Sequence, residues 1–235
     1  MMKIISHNQH IKTSNSGNTC LVSVFHVKIN DVSERAQEMI DTISNTSWIN
    51  QLEVVDQISY TARAERTIKK LADEIFAKVS SPISTQFGEY MVSMTAQDAL
   101  EKSVEHNKLP LAELFKEKVL GNPGFDFHTE TSTTYIAFGE AKYSGRKTPY
   151  EKAIIQINSF VQLGKDRAEL TDLKHFCSKQ AVDNALDGMK AYVAAFSINV
   201  KNANRMFSKL LASEEITPLL EYPELYLIGV EVSDC

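Results

Sequence analysis

Cysteine is scarce in this sequence: Cys20, Cys177 and Cys235 are odd in number and far apart among 235 residues. That pattern suggests neither a disulfide framework nor a CxxC-type metal site, and it makes a reducing cytoplasm the simplest expected location. No apolar run approaches the ~20 residues that a membrane span requires, so no membrane partner is expected. The opening residues, Met1-Met-Lys-Ile-Ile-Ser-His7, lack the apolar run and small-residue cleavage site of a secretory signal. Basic charge is also in short supply, with 25 Lys and Arg against 30 Asp and Glu and a net charge of -5. A chain of that sign is not expected to coat nucleic acid by itself, because clustered cations drive phosphate binding. No Walker A or GxGxxG sequence is present, so no nucleotide-binding loop is inferred. His7, His10, His26, His106 and His175 show no ligand spacing. Trp48 and the other aromatics show no repeated stacking pattern of the kind found in single-strand binders.

What is present is an ordinary globular composition, 43% hydrophobic and 23% charged, enough for one large domain or one domain with an elaboration. Residues 1–18 are polar, end in Ser14-Asn-Ser-Gly-Asn18, and read as a weakly ordered lead-in. Thr19 to Ile29 is β-branched and reads as a strand. Asp31 and Glu34 form a capping box for a helix striped by Ala36, Met39, Ile40 and Ile43. Asn45 to Ile58 is ambiguous, a helix is expected from about Thr61 to Val79, and Ser80-Ser-Pro82 ends it. Ser84 to about Val104 reads as the next helix and carries Glu89 near its start. Pro110 suits the first position of a short helix through Val119, and Gly121-Asn-Pro-Gly124 turns the chain into the next strand.

Two stretches then stand out, Gly124-Phe-Asp-Phe-His128 and Tyr135-Ile-Ala-Phe-Gly-Glu-Ala-Lys142. Period-two alternation puts Glu140 and Lys142 on one strand face, continuing the row of Ile136 and Phe138, while Tyr135, Ala137, Gly139 and Ala141 occupy the other. The strand is apolar until its C-terminal end, where open α/β sheets place ligand sites. A turn around Glu130 to Ser132 predicts an antiparallel hairpin that brings Asp126 near Glu140. Two carboxylates and an amine meeting there suit a hard divalent cation beside a phosphate. Thr148-Pro-Tyr-Glu151 predicts a helix start with Thr148 as N-cap, followed by a buried stripe with Gln156 beside it. A helix at Ser178 to Leu186, a strand at Ala191 to Ile198, a helix around Asn204 to Leu211 and a strand at Leu225 to Val232 complete an α/β core with a mixed sheet flanked by helices.

Asp126, then Glu140-Ala141-Lys142 on a strand, then a helix with Gln156, and Glu89 on a preceding helix, resemble the PD-(D/E)xK nuclease superfamily. The resemblance spans about Ser84 to Ala194. Gly124-Phe125 stands in place of the wording that names the superfamily, while Asp126 keeps the acidic position. More narrowly, Gly-Asn-Pro-Gly-Phe-Asp-Phe-His and Phe-Gly-Glu-Ala-Lys look like the nuclease subunit of the Hachiman anti-phage defence system, which is encoded beside a superfamily 2 helicase. The resemblance implies a restriction-endonuclease-like core over 81–235 and an N-terminal α+β elaboration over 1–80 that docks a partner. It implies a Mg²⁺-dependent or Mn²⁺-dependent DNA endonuclease controlled by that helicase. Asp126, Glu140, the Ala141 carbonyl and Glu89 would serve the metal, Lys142 the attacking water, and Gln156 the water or a backbone phosphate.

Other readings stand beside these. A nuclease fold that binds without turnover and a nuclease of DNA repair or recombination fit the same residues. Glu89 is either a metal-site acid or a solvated helix charge. His128 is either a site residue or a hydrogen-bonded structural histidine. Arg146, Lys147 and Lys152 are either phosphate contacts or a solvated loop.

Overall fold

The computed structural model describes residues 2–76, 83–116 and 124–232. Its elements in chain order are β1 (Met2–Thr13), β2 (Thr19–Ile29), α1 (Val32–Ser44), α2 (Val54–Lys70), α3 (Thr85–Val104), β3 (Asn107–Lys108), α4 (Ala112–Phe115), β4 (Phe127–Glu130) and β5 (Ile136–Lys142). After these come α5 (Tyr150–Gln162), α6 (Lys165–Ala168), α7 (Leu170–Leu173), α8 (Lys179–Leu186), β6 (Ala191–Ile198), α9 (Ala203–Leu211) and β7 (Glu224–Val232). The strands form one seven-stranded mixed sheet in the order β1-β2-β7-β6-β5-β4-β3. Its centre, β2, β7, β6 and β5, is parallel. Antiparallel pairs close both edges, β1 on β2 at one side and β4 on β5 with β3 on β4 at the other.

All eight residues of β6 are buried. A parallel strand covered on both faces needs such an uninterrupted apolar run, which is why Ala191 to Ile198 is legible as a strand from sequence. Alternation divides the core in two. Ile136, Phe138, Tyr192 and Phe196 enter one cluster with Ala153, Ile154 and Ile157 of α5. Ala137, Ala141, Val193 and Ala195 enter the other with Met91 and Ala99 of α3. Each fully buried large side chain contributes about 1.5–3 kcal/mol. The sheet is thus held between α5 on one face and α3 on the other, and the C-terminal end of β5 lies where both helices pass.

The chain departs from sequence expectation at four places. Residues 2–13 are an edge strand rather than a weakly ordered lead-in, paired from Met2 opposite Ile29 to Thr13 opposite Thr19. Their polarity is that of a strand with one open edge, and Ser14-Asn-Ser-Gly-Asn18 is its hairpin turn, closed by Ser14 N donating to Asn18 O at 2.8 Å. Helix α2 starts at Val54, earlier than expected, because Val54, Val55 and Ile58 are exposed apolar residues that disrupt the amphipathic pattern. It gives way at Leu71–Phe76 to a wider π-type turn, and the expected stop at 80–82 lies outside the described residues. Pro110 precedes α4 rather than starting it, and the turn expected at 121–123 is also outside the described residues. Finally, Thr148 does not cap α5: the cap position is Pro149 without a side-chain bond, and Thr148 Oγ1 instead accepts from Asn199 N at 2.9 Å.

Candidate active site

The hairpin of β4 and β5 assembles the charged cluster. Asp126 N donates to Gly139 O at 2.9 Å, extending the ladder one residue beyond β4. The Asp126 side chain then reaches past the strand end, where its Oδ2 accepts from Ala141 N at 2.8 Å. Glu140 is fully buried. Its neighbour in register on β6 is Ala194, which offers no polar group. Its hydrogen-bond partner is Lys142, whose Nζ lies 2.5 Å from Glu140 Oε1, and the Asp126 carboxylate is near enough to act on its charge. Glu140 Oε2 is buried without any partner among the described residues. An unsatisfied buried acceptor costs roughly 1–3 kcal/mol, and more when charged, so this oxygen is a standing demand for a cation or a proton.

The electrostatics express the same demand. Burial pushes the Glu140 carboxyl well above the usual carboxylate range, the Asp126 charge pushes it further, and Lys142 opposes both. Burial also raises Asp126, against the Ala141 amide and Lys142, which favour its charged form. Burial alone would lower the pKa of Lys142, but Glu140, Asp126 and Glu89 together hold it above its ordinary value. The two buried acids therefore compete for one nearby ammonium. That competition is the arrangement expected of carboxylates sharing a site.

Glu89 reaches this place from α3 on the opposite sheet face. It is half-buried, accepts from the Tyr143 backbone amide, and is raised by burial, with Lys142 opposing and Asp126 reinforcing. The close approach depends on Gly88, where a Cβ would lie 2.1 Å from the Tyr143 ring. Only glycine lets α3 pass so near the end of β5. The structure thus brings together Asp126, Glu140, Lys142, Glu89 and the Ala141 backbone. Gln156 sits half-buried on α5 beside buried Ile157, and among the described residues it makes no hydrogen bond to the cluster. The basic loop is anchored at its root, where Ser144 N donates to Ser197 Oγ at 3.0 Å and Asn199 Nδ2 donates to Ser144 O at 2.8 Å. Arg146 and Lys147 stand exposed on it, and Lys152 is exposed at the start of α5.

Sequence reasoning missed a second group behind the first. His128 is fully buried and its Nε2 lies 2.7 Å from Glu169 Oε2. Burial brings its pKa down to about 4, so the ring is neutral near pH 7. This is the position of a hydrogen-bonded structural histidine, one of the two readings its sequence allowed. Glu169 Oε1 is 2.7 Å from Lys116 Nζ. No local pattern links residues 116, 128 and 169, so periodicity could not reveal them.

Among the described residues, no group of three or more His, Cys, Asp and Glu side chains is placed to enclose a metal ion. What remains is a two-carboxylate donor set with one orphaned buried oxygen, and that set fits a hard, oxygen-seeking cation with coordination sites left for water or substrate. No described helix is long and apolar enough to cross a membrane. No family model matches the chain, and no curated protein emerges as a relative of it.

Proposed function

We propose that this chain is a metal-dependent DNA endonuclease with a restriction-endonuclease-like core of the PD-(D/E)xK kind, acting as the effector of an anti-phage defence complex and restrained by a superfamily 2 helicase. The observation that carries the reading is the buried, unpartnered Glu140 Oε2 beside Asp126 and Lys142 at the C-terminal end of β5. Asp126, Glu140 and the Ala141 carbonyl would hold Mg²⁺ or Mn²⁺, with Glu89 nearby to take a ligating water or the metal itself. Such a cation, when bound, lowers the pKa of a coordinated water and offsets charge developing on phosphate oxygens.

The chain's own groups supply the rest. Lys142 Nζ is held protonated by three carboxylates. When those carboxylates are neutralised its hold on the proton weakens, so Nζ can orient the attacking water and exchange a proton with it. Arg146 and Lys147, on a loop tied to the end of β6, suit the flanking backbone phosphates. Gln156 would serve the water or a phosphate after a rotamer change on α5.

One observation favours a second reading. The Lys142 to Glu140 pair satisfies one carboxylate oxygen from within the cluster, and among the described residues no three acidic or metal-ligating side chains are placed to hold a metal ion together, which suits a nuclease fold that binds DNA without cutting it. A single preparation separates the two. The purified chain, alone and with its helicase, is incubated with supercoiled and linear DNA in Mg²⁺, Mn²⁺, Ca²⁺ or EDTA. Cleavage in Mg²⁺ or Mn²⁺, little turnover in Ca²⁺, and loss in EDTA support the nuclease. EDTA-resistant cutting, or cutting by a folded Glu140→Ala variant, overturns this site.

A further inference from the structure

The Asp126 amide is tied to β5 through Gly139 O, but the chain entering it at Phe125 belongs to no regular element, so contacts from elsewhere must fix the peptide on that side. The preceding residue, Phe125, is buried. Its N–H donates to Glu169 Oε1 at 2.9 Å, and its carbonyl accepts from Lys116 Nζ at 3.1 Å. Lys116 and Glu169 are themselves paired at 2.7 Å. The other carboxylate oxygen, Glu169 Oε2, takes His128 Nε2 at 2.7 Å. One carboxylate therefore grips the chain at residues 125 and 128, on both sides of Asp126. The grip is close enough that a Cβ on Gly124 would lie 2.1 Å from Glu169 Oε1. Glu169 arrives on the α6–α7 segment, whose position is independent of the β4–β5 hairpin in sequence.

We infer that Glu169, with Lys116, is a positioning residue for the Asp126 carboxylate: it locks the Phe125 peptide so that Asp126 Oδ2 meets the Ala141 amide and the remaining lone pairs face Glu140. The inference deepens the metal-site reading above and rests on it. Groups one layer behind a metal ligand commonly change affinity 10- to 100-fold when removed.

A comparison carboxylate is built into the same molecule. Glu224 is buried at the first residue of β7 and so at the other end of the parallel strands from the cluster, where it accepts from Thr133 Oγ1 at 2.6 Å and Tyr226 OH at 2.6 Å. The experiment measures Mn²⁺ affinity of the full chain by calorimetry, beside circular dichroism and thermal melting, for the parent, Glu169→Ala, Glu169→Gln and Glu224→Gln. Expected are a roughly 10- to 100-fold weakening in Glu169→Ala, a smaller one in Glu169→Gln, which keeps an acceptor for Phe125 N–H, and none beyond about twofold in Glu224→Gln despite its lower melting temperature. If Glu169→Ala does not fold, Glu169→Gln alone decides by the same comparison. Parent-like affinity in a folded Glu169 variant overturns the positioning role, as does equal weakening in Glu224→Gln. A parent that binds no Mn²⁺ overturns the metal site itself, and the positioning role with it.

Discussion

Lys142 Nζ lies 2.5 Å from Glu140 Oε1, two residues back along the same strand, while the other oxygen of that carboxylate has no partner among the described residues. Lys142→Ala is expected to cut nuclease turnover by at least ~100-fold, the usual scale for removing a proton-transfer group. Circular dichroism should stay parental, since the Lys142 side chain is partly exposed. Near-parental cleavage by the folded variant would exclude Lys142 from the chemistry.

Glu140→Gln should also abolish cleavage, yet it should stabilise the metal-free protein. A buried amide replaces a buried acid that is short of partners, and each 1 kcal/mol gained raises Tm by about 2–4 °C in a chain of this size. A melting curve in EDTA reads this directly. A lower Tm for Glu140→Gln would mean that the carboxylate is better satisfied than its surroundings indicate.

The raised carboxyl pKa of Glu140 has a defined sign in the pH profile. Folding favours its protonated form, so this contribution is fully present below the ordinary glutamate value of 4.5 and is lost as pH rises through the raised folded pKa. Asp126 acts in the same direction. In EDTA, stability should therefore fall across that window more steeply in the parent than in Glu140→Gln, and saturating Mg²⁺ should remove the difference. Parallel profiles in EDTA would contradict the shift. Lys142, raised from 10.5, acts only at much higher pH.

Arg146 and Lys147 are exposed and their loop is anchored through Ser144, so replacing both with Ala should leave folding intact. DNA affinity should fall for all sequences alike. The slope of log affinity against log salt should drop by about one to two, one for each lost phosphate contact. An unchanged slope would make these residues a solvated loop.

If the chain works with a helicase as proposed, the N-terminal region is the expected contact. Val54, Val55 and Ile58 are 68%, 78% and 70% exposed at the start of α2, an apolar group of the kind that partners cover. Val55→Asp with Ile58→Asp is expected to release the helicase in co-purification while keeping the fold. Retained binding would move the docking site elsewhere.

The sequence made the parallel centre and the acidic cluster legible for the same reason: both follow local periodicity. Ala191 to Ile198 is an unbroken apolar run, and Glu140 and Lys142 share a face by alternation alone. What escaped depends on partners distant in the chain. Residues 2–13 become a strand only through β2, and Glu169 acts on Phe125 across 44 residues. Thr148 carries a helix-start signal, but its hydroxyl is taken by Asn199 on the far side of β6, so tertiary contact overrode local capping.

Strand β2 lies between its own hairpin partner and β7, paired in parallel along residues 21–29 with 224–232. Sheet assembly must therefore close a loop of nearly the whole chain, a slow, high-contact-order step. During synthesis the N-terminal hairpin emerges early and presents an unsatisfied edge until the last strand arrives to link it to β6. A ribosome-bound chain lacking residues 224–232 cannot join the two halves of the sheet. Vectorial synthesis thus delays completion of the sheet that carries the acidic cluster and, over the same interval, leaves an edge open to mispairing or chaperone capture.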